Sequence, residues 1–299
     1  MERRTFVRMA GLGVMAGLVR PSAFTESFAK LPAPGLQLFT FFGKIDSDVK
    51  GTLEQVRAAG YINIESAFSR LGGFYGMKPK DFNNTLKDMG MKWRSHHVLG
   101  TPFKMPAGAK PPTDANGNPI QIPPMLNLKD NTQELVDMAA EGGVEYLVCA
   151  NISLGNATEI REAVDILNKA NEVSKKAKLK LVYHNHEWEF KPVDGVIPYD
   201  VLLKDTGIKM ELDLAWAVKG GMDPVEMFKL HPGRFPLWHV KDLDAGRNDV
   251  LPVGKGTIDF RRIFQSATAS GLEYYFVEHD MPKDASASIK DSMLFLKTL

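Results

Sequence analysis

KLKLVYHNHEWEF, residues 178–190, starts as an ordinary buried strand and ends with two histidines and two glutamates inside six residues. Burying unpaired polar or charged groups is costly, so the end of this strand must meet partners brought from elsewhere in the chain. The same design recurs in the next three apolar runs. Glu211 and Asp213 close IKMELDL (208–214), His239, Lys241 and Asp242 close FPLWHVKD (235–242), and Glu278, His279 and Asp280 close YYFVEHD (274–280). Strands whose bodies are sealed by packing and whose last residues are polar fit a barrel that opens only at the C-terminal ends of its strands.

Four earlier runs complete the set: LQLFTF (36–41), YINIESA (61–67), KWRSHHV (92–98) and EYLVCANI (145–152). Segments with apolar residues at helical spacing lie between and after the runs, over 47–59, 80–89, 128–141, 157–176, 199–205, 223–230, 259–270 and 285–296. Several stop at a glycine just before the next strand, as in AAGY, DMGM, DTGI and ASGL, where glycine suits a left-handed C-cap. Eight strand-then-helix units in this length predict an α/β fold, a single (β/α)8 TIM barrel over residues 30–299 with its active site at the C-terminal ends of the strands. A doubly wound sheet is the alternative, but FFGKIDSD after the first strand is not the Gly-rich phosphate turn such a sheet usually carries. Residues 101–124, dense in Pro, Gly and Asn, read either as a long loop over the mouth or as a disordered insertion.

The N-terminus, MERRTFVRMAGLGVMAGLVRPSAF, has the layout of an export signal, and Arg3-Arg4 before Thr5-Phe6-Val7 resembles the twin-arginine type. Taking residues 1–29 as that signal predicts a periplasmic protein with no membrane span in its mature form. Lys plus Arg number 37 against 36 Asp plus Glu, which leaves no broad basic field for a nucleic-acid backbone. Cys149 is the single cysteine and sits in a strand, so it reads as a small packed hydrophobe and no intrachain disulfide can form.

Alternation along a strand puts His184 with His186, Glu211 with Asp213, and His239 with Lys241 on shared faces. One residue from each of four neighbouring strand ends could then converge. Two imidazoles and two carboxylates form a mixed nitrogen and oxygen set, suited to Mn²⁺, Zn²⁺, Co²⁺ or Fe²⁺ rather than to Mg²⁺ or Ca²⁺. Taken singly, each has a bland alternative: a core histidine, a helix cap at Asp213, an ion pair between Glu278 and Lys241.

AGYINIES with GFYG, MKWRSHHV, LVYHNHEWEF, MELDLAWAVKGG, PLWHVKDLD, VGKGTIDF and FVEHD together resemble the sugar phosphate isomerase/epimerase family, the xylose-isomerase-like TIM barrels. The resemblance implies a divalent metal held by Asp213, His239 and Glu278. It also implies a fourth ligand at the end of strand five, where the better-known epimerases keep a glutamate and this chain has His184. The expected activity is that of a sugar isomerase or epimerase abstracting a proton next to a carbonyl by way of an enediolate. Glu278 is the first candidate acid/base, with Glu189 or His186 on the other face and Lys241 as an electrostatic clamp. Glu65 and His97 are expected to contact substrate hydroxyls, and Trp216 and Trp188 to offer flat faces to the sugar, with core packing as the alternative role. An exported member is expected to act on an unphosphorylated sugar. VGKGTIDF could hold an anion through its backbone, or simply turn into a helix. A lyase or dehydratase on a 3-keto-sugar or glycoside is the runner-up, ahead of a non-catalytic sugar-binding barrel and a DNA-repair endonuclease. The partner is a small sugar, and a homo-oligomer is compatible with the chain.

Overall fold

The computed structural model describes residues 31–103 and 125–299. The expected export signal, and all but the first three residues of the expected loop over 101–124, lie outside the described residues. Eight parallel strands close into a barrel: β1 (Gly35–Gln37), β2 (Asn63–Ser66), β3 (Lys92–Leu99), β4 (Tyr146–Asn151), β5 (Lys180–His184), β6 (Lys209–Asp213), β7 (Leu237–Val240) and, after a small antiparallel ribbon of β8 (Asp242–Leu243) and β9 (Val250–Leu251), β10 (Tyr274–Val277). β10 pairs with β1 to complete the ring, as expected for the (β/α)8 reading.

Each barrel strand is followed by helix, and the helices pack their apolar faces on the outside of the ring. Helices Ala157–Lys176 and Ala285–Leu296 have the bounds expected from the sequence. Gly60 and Gly271 cap their helices in the left-handed conformation, at φ 107° and 79°. DTGI behaves differently: its helix Pro198–Asp205 closes on Thr206 with extended backbone.

Three local expectations are corrected. LQLFTF is not one strand, because the Gln37 side chain accepts the N–H of Phe39 and turns Leu38–Phe41 into a short 3₁₀ helix. The segment 259–270 divides into Phe260–Gln265 and Ala267–Ser270 at Ser266. An additional helix, Leu214–Lys219, starts directly at the end of β6, where Asp213 Oδ1 accepts the N–H of Trp216 at 2.9 Å.

The barrel interior is stacked in height. Tyr146, Val148, Val182, Leu237 and Phe276 plug the lower half with apolar side chains. A Cβ at Gly35 would lie 2.5 Å from the Phe276 ring, so this position on β1 is confined to glycine by the plug itself. Two residues further along three of these strands the same inward face turns polar: Val182 gives way to His184, Leu237 to His239 and Phe276 to Glu278. The cavity therefore begins where the plug ends.

VGKGTIDF is both a turn into a helix and an anion cradle, and the anion is the chain's own. The buried Asp242 carboxylate accepts the N–H groups of Leu243, Gly254, Gly256 and Ile258 at 2.9–3.1 Å. A Cβ on Gly256 would fall 2.4 Å from Asp242 Oδ1, so the close approach needs glycine there. Asp242→Ala strands four donors at once and is expected to destabilise the protein by about 3 kcal/mol in urea unfolding. A loss below about 1 kcal/mol would show that the cradle does not hold the loop.

Candidate active site

The upper interior of the barrel holds two layers of ionisable groups. In the higher layer, Lys241 is fully buried, and its ammonium lies 3.0 Å from Asp213 Oδ2, 2.6 Å from Glu278 Oε2 and 2.8 Å from Asp280 Oδ2. His239 Nδ1 is 2.8 Å from Glu278 Oε2 and 3.8 Å from Asp213 Oδ2. In the layer beneath, Glu211 Oε2 meets three imidazoles: His97 Nε2 at 2.9 Å, His184 Nδ1 at 3.2 Å and His239 Nε2 at 3.3 Å. Glu65 Oε1 also contacts His239 Nε2, accepts from Gln37 Nε2 at 2.8 Å and lies 3.1 Å from His97 Nε2, while Glu65 Oε2 accepts from Ser95 Oγ.

Backbone pairing sets these heights. His184 stands opposite Glu211 in the β5–β6 ladder, and Asp213 opposite His239 in the β6–β7 ladder. Asp213, His239 and Glu278 form one group whose donor atoms are mutually close, and His97, His184, Glu211 and His239 form another. His184 joins the two, with Nδ1 on Glu211 and Nε2 facing Asp213 Oδ2 at 3.9 Å.

Burial and neighbours set the protonation states. Burial, together with the charge on His239 and His97, pushes His184 well below the usual imidazole range and keeps it neutral. Against the cost of burial, the carboxylates of Glu211, Glu278 and Glu65 raise His239 well above that range, and Glu65 with Glu211 raises His97 to about 9. Burial would raise Glu278, but Lys241 and His239 outweigh it and hold the carboxyl ionised. Glu211 rises to about 7 through burial and the nearby Glu65 charge.

Several expected roles are revised by these contacts. Glu65 is fully buried with both oxygens occupied inside the protein, so it cannot be a substrate-hydroxyl contact. His97 borders the cavity, but its Nε2 is committed to Glu65 and Glu211. Glu189 is 2% exposed; it accepts the Tyr183 hydroxyl at 2.8 Å and the His186 backbone N–H at 3.0 Å, which makes it a brace under the β5 loop rather than a group free to move a proton. His186 does line the cavity, with its ring stacked at 4.7 Å on Trp188, itself 52% exposed. Trp216 is half-buried and lies over Lys241 and Lys219, 5.1 and 5.0 Å from their ammonium nitrogens. Cys149 is buried and its thiol is raised to about 12 by burial, as suits a packed hydrophobe.

Sequence reasoning passed over two contributors. Glu211 was marked by its place two residues before Asp213 on the same face. Asp280 was marked by the same spacing from Glu278.

Known proteins place this architecture. Residues 53–299 match the xylose isomerase-like TIM barrel family. A sugar phosphate isomerase/epimerase structure from Parabacteroides distasonis ATCC 8503 is 27% identical, with a TM-score of 0.72 over 90% of this chain and 99% of that one. Inosose dehydratase of Geobacillus kaustophilus (strain HTA426) is 32% identical over 106 residues, which is 35% of this chain and only 33% of the dehydratase. The crystal structure of the IOLI protein with a bound zinc atom shares the fold at 15% identity, with a TM-score of 0.62 over 89% of this chain and 97% of that one. The matched span takes in seven of the eight barrel strands and every ionisable group of the two layers, and the chain belongs to the xylose isomerase-like TIM barrel family.

Proposed function

We propose that this protein is a divalent-metal-dependent sugar isomerase or epimerase that removes a proton next to a carbonyl. The observation that carries the reading is the convergence of Asp213, His239 and Glu278, of which Glu278 lines the cavity, with His184 Nε2 turned toward Asp213. The residues fit a cation. Asp213 Oδ2 is buried with the Lys241 ammonium at 3.0 Å as its charge partner, and the four donors are two imidazole nitrogens and two carboxylates, a set suited to Mn²⁺, Zn²⁺, Co²⁺ or Fe²⁺. The zinc-bearing neighbour of the same fold is compatible with this.

When bound, such a metal polarises the sugar carbonyl and acidifies the adjacent C–H. The rest falls to the chain's own side chains. Glu278 lines the cavity, is held ionised by Lys241 and His239, and takes the proton from one face of the sugar. His186 lines the same cavity, with its buried Nδ1 3.7 Å from Glu189 Oε1, and serves the opposite face. Lys241 offers a buried ammonium to the negative charge that develops on the enediolate. Trp188 and Trp216 flank His186 and present apolar faces to the ring of the sugar. Glu189 fixes the His186 backbone, and its other oxygen faces His186 Nδ1 at 3.7 Å.

An unphosphorylated substrate fits best. The backbone N–H groups of Gly254, Gly256 and Ile258 in VGKGTIDF, which could have held a phosphate, are already satisfied by Asp242. The export expected from Arg3-Arg4 agrees. Elimination is the second reading, favoured by the inosose dehydratase similarity and by the Lys241 ammonium beside Glu278, where a donor can protonate a leaving oxygen after the same proton abstraction.

Incubation of the Mn²⁺-loaded protein with unphosphorylated keto-sugars in D₂O is expected to place deuterium on the carbon beside the carbonyl. Growth of an enone absorbance instead would select elimination, and absence of both across a broad panel would defeat the proposal. Lys241→Met leaves the buried Asp213 and Glu278 and the partly exposed Asp280 without their shared counter-ion and is expected to cost 3 to 5 kcal/mol, roughly, in the metal-free protein. Mn²⁺ should then raise the thermal midpoint of the variant more than that of the wild type. Equal shifts would mean that the cation does not enter this cradle.

A further inference from the structure

We infer that Glu211 and Glu65 are positioning residues, buried carboxylates that turn one ring nitrogen of His184 and one of His239 toward the cavity and so prepare both rings to hold a cation. The inference rests on the metal reading above and assigns to each histidine the group that orients it.

Both imidazoles are divided in the same way. His184 directs Nδ1 to Glu211 Oε2 at 3.2 Å and Nε2 to the Asp213 side. His239 directs Nε2 to Glu65 and Glu211 and Nδ1 to Glu278 and Asp213. An ionised carboxylate only accepts, and a neutral imidazole has one N–H and one lone pair. A neutral ring that gives its N–H to the lower layer, as His184 does, therefore presents its lone pair to the upper one; on charged His239 the Nδ1 proton faces Glu278 at 2.8 Å, and an entering cation would take that proton's place.

The competition makes the lower layer necessary. Asp213 and Glu278 are acceptors too, so a ring with no acceptor beneath it would turn its N–H up to them and bury its lone pair away from the cavity. Glu211 and Glu65 remove that choice. Neither is placed to act on substrate, since neither lines the cavity that Lys241 and Glu278 border.

The lower carboxylates are themselves held. Glu65 is fixed by Gln37 and Ser95 from the neighbouring strands β1 and β3. His97 Nε2 lies between the two carboxylates, 3.1 Å from Glu65 Oε1 and 2.9 Å from Glu211 Oε2, and its ring stacks on His239 at 5.1 Å and 6°. Glu211 is placed by the ladder, directly opposite His184. Carboxylates behind metal-binding histidines commonly contribute 10 to 100-fold in metal affinity, roughly.

The test is Mn²⁺ binding to the metal-stripped full chain, measured by calorimetry for the wild type, Glu211→Gln and Glu65→Gln, with thermal unfolding of each metal-free protein alongside. Glutamine keeps the size of the side chain, but its amide can donate to the ring and admit the reversed tautomer. Expected is a loss of Mn²⁺ affinity of roughly 10 to 100-fold in each variant, with metal-free thermal midpoints close to wild type. Variants that fold and bind Mn²⁺ within about twofold of wild type would overturn the inference while leaving the metal reading intact. A wild type that binds no Mn²⁺ would overturn both. If Glu211→Gln does not fold, Glu65→Gln puts the same question to His239.

Discussion

Five carboxylates, from Glu65, Glu211, Asp213, Glu278 and Asp280, share the upper interior of one barrel, and four of them are fully or almost fully buried. Two like charges about 4 Å apart repel by roughly 4 kcal/mol in a protein-like medium, so this arrangement persists only because cations are interleaved with it. Lys241 supplies one of them, an ammonium within 3.0 Å of three carboxylates. His239 and His97 supply the others, raised into their charged forms by the same carboxylates they neutralise. The apolar plug below makes the balance obligatory, because it keeps water from the underside of the cluster.

This constraint explains which groups remain free for chemistry. In the lower layer Glu65 and Glu211 meet histidines and do not line the cavity, so they act on the rings. Charges in the upper layer face the cavity, so Glu278 and Lys241 can act on a ligand. Proton abstraction next to a carbonyl begins both an epimerisation and a dehydration, and the two outcomes differ only in what happens after the proton has left. The geometry around Glu278 serves the shared first step.

Much of the fold was legible because it depends on local pattern. Polar residues at the ends of IKMELDL, FPLWHVKD and YYFVEHD marked the open end of a barrel, and the glycine after AA and after AS marked helix ends. What alternation along a strand does not reveal is height. It places Glu211 and Asp213 on one face without showing that the first lies a layer below the second, level with His184 on the next strand. Nor does it reveal which neighbours already occupy an inward side chain: Glu65 is taken by Gln37 and Ser95, and His97 Nε2 lies between Glu65 and Glu211. Glu189 lies five residues past the end of β5, where the chain folds back so that the Tyr183 hydroxyl and the His186 backbone N–H reach its carboxylate. The histidine that ends KLKLVYH also has its explanation in the neighbouring strand, since Glu211 gives it the carboxylate partner that a buried imidazole needs.

The central claim is that a divalent ion is held where the two layers meet. Anomalous scattering from crystals of the Mn²⁺-loaded protein tests it most directly. The account predicts one strong peak bounded by His184 Nε2, Asp213, His239 Nδ1 and Glu278, with His184 Nδ1 still on Glu211. A peak away from these four residues, or a peak among them with His184 turned aside, would contradict it.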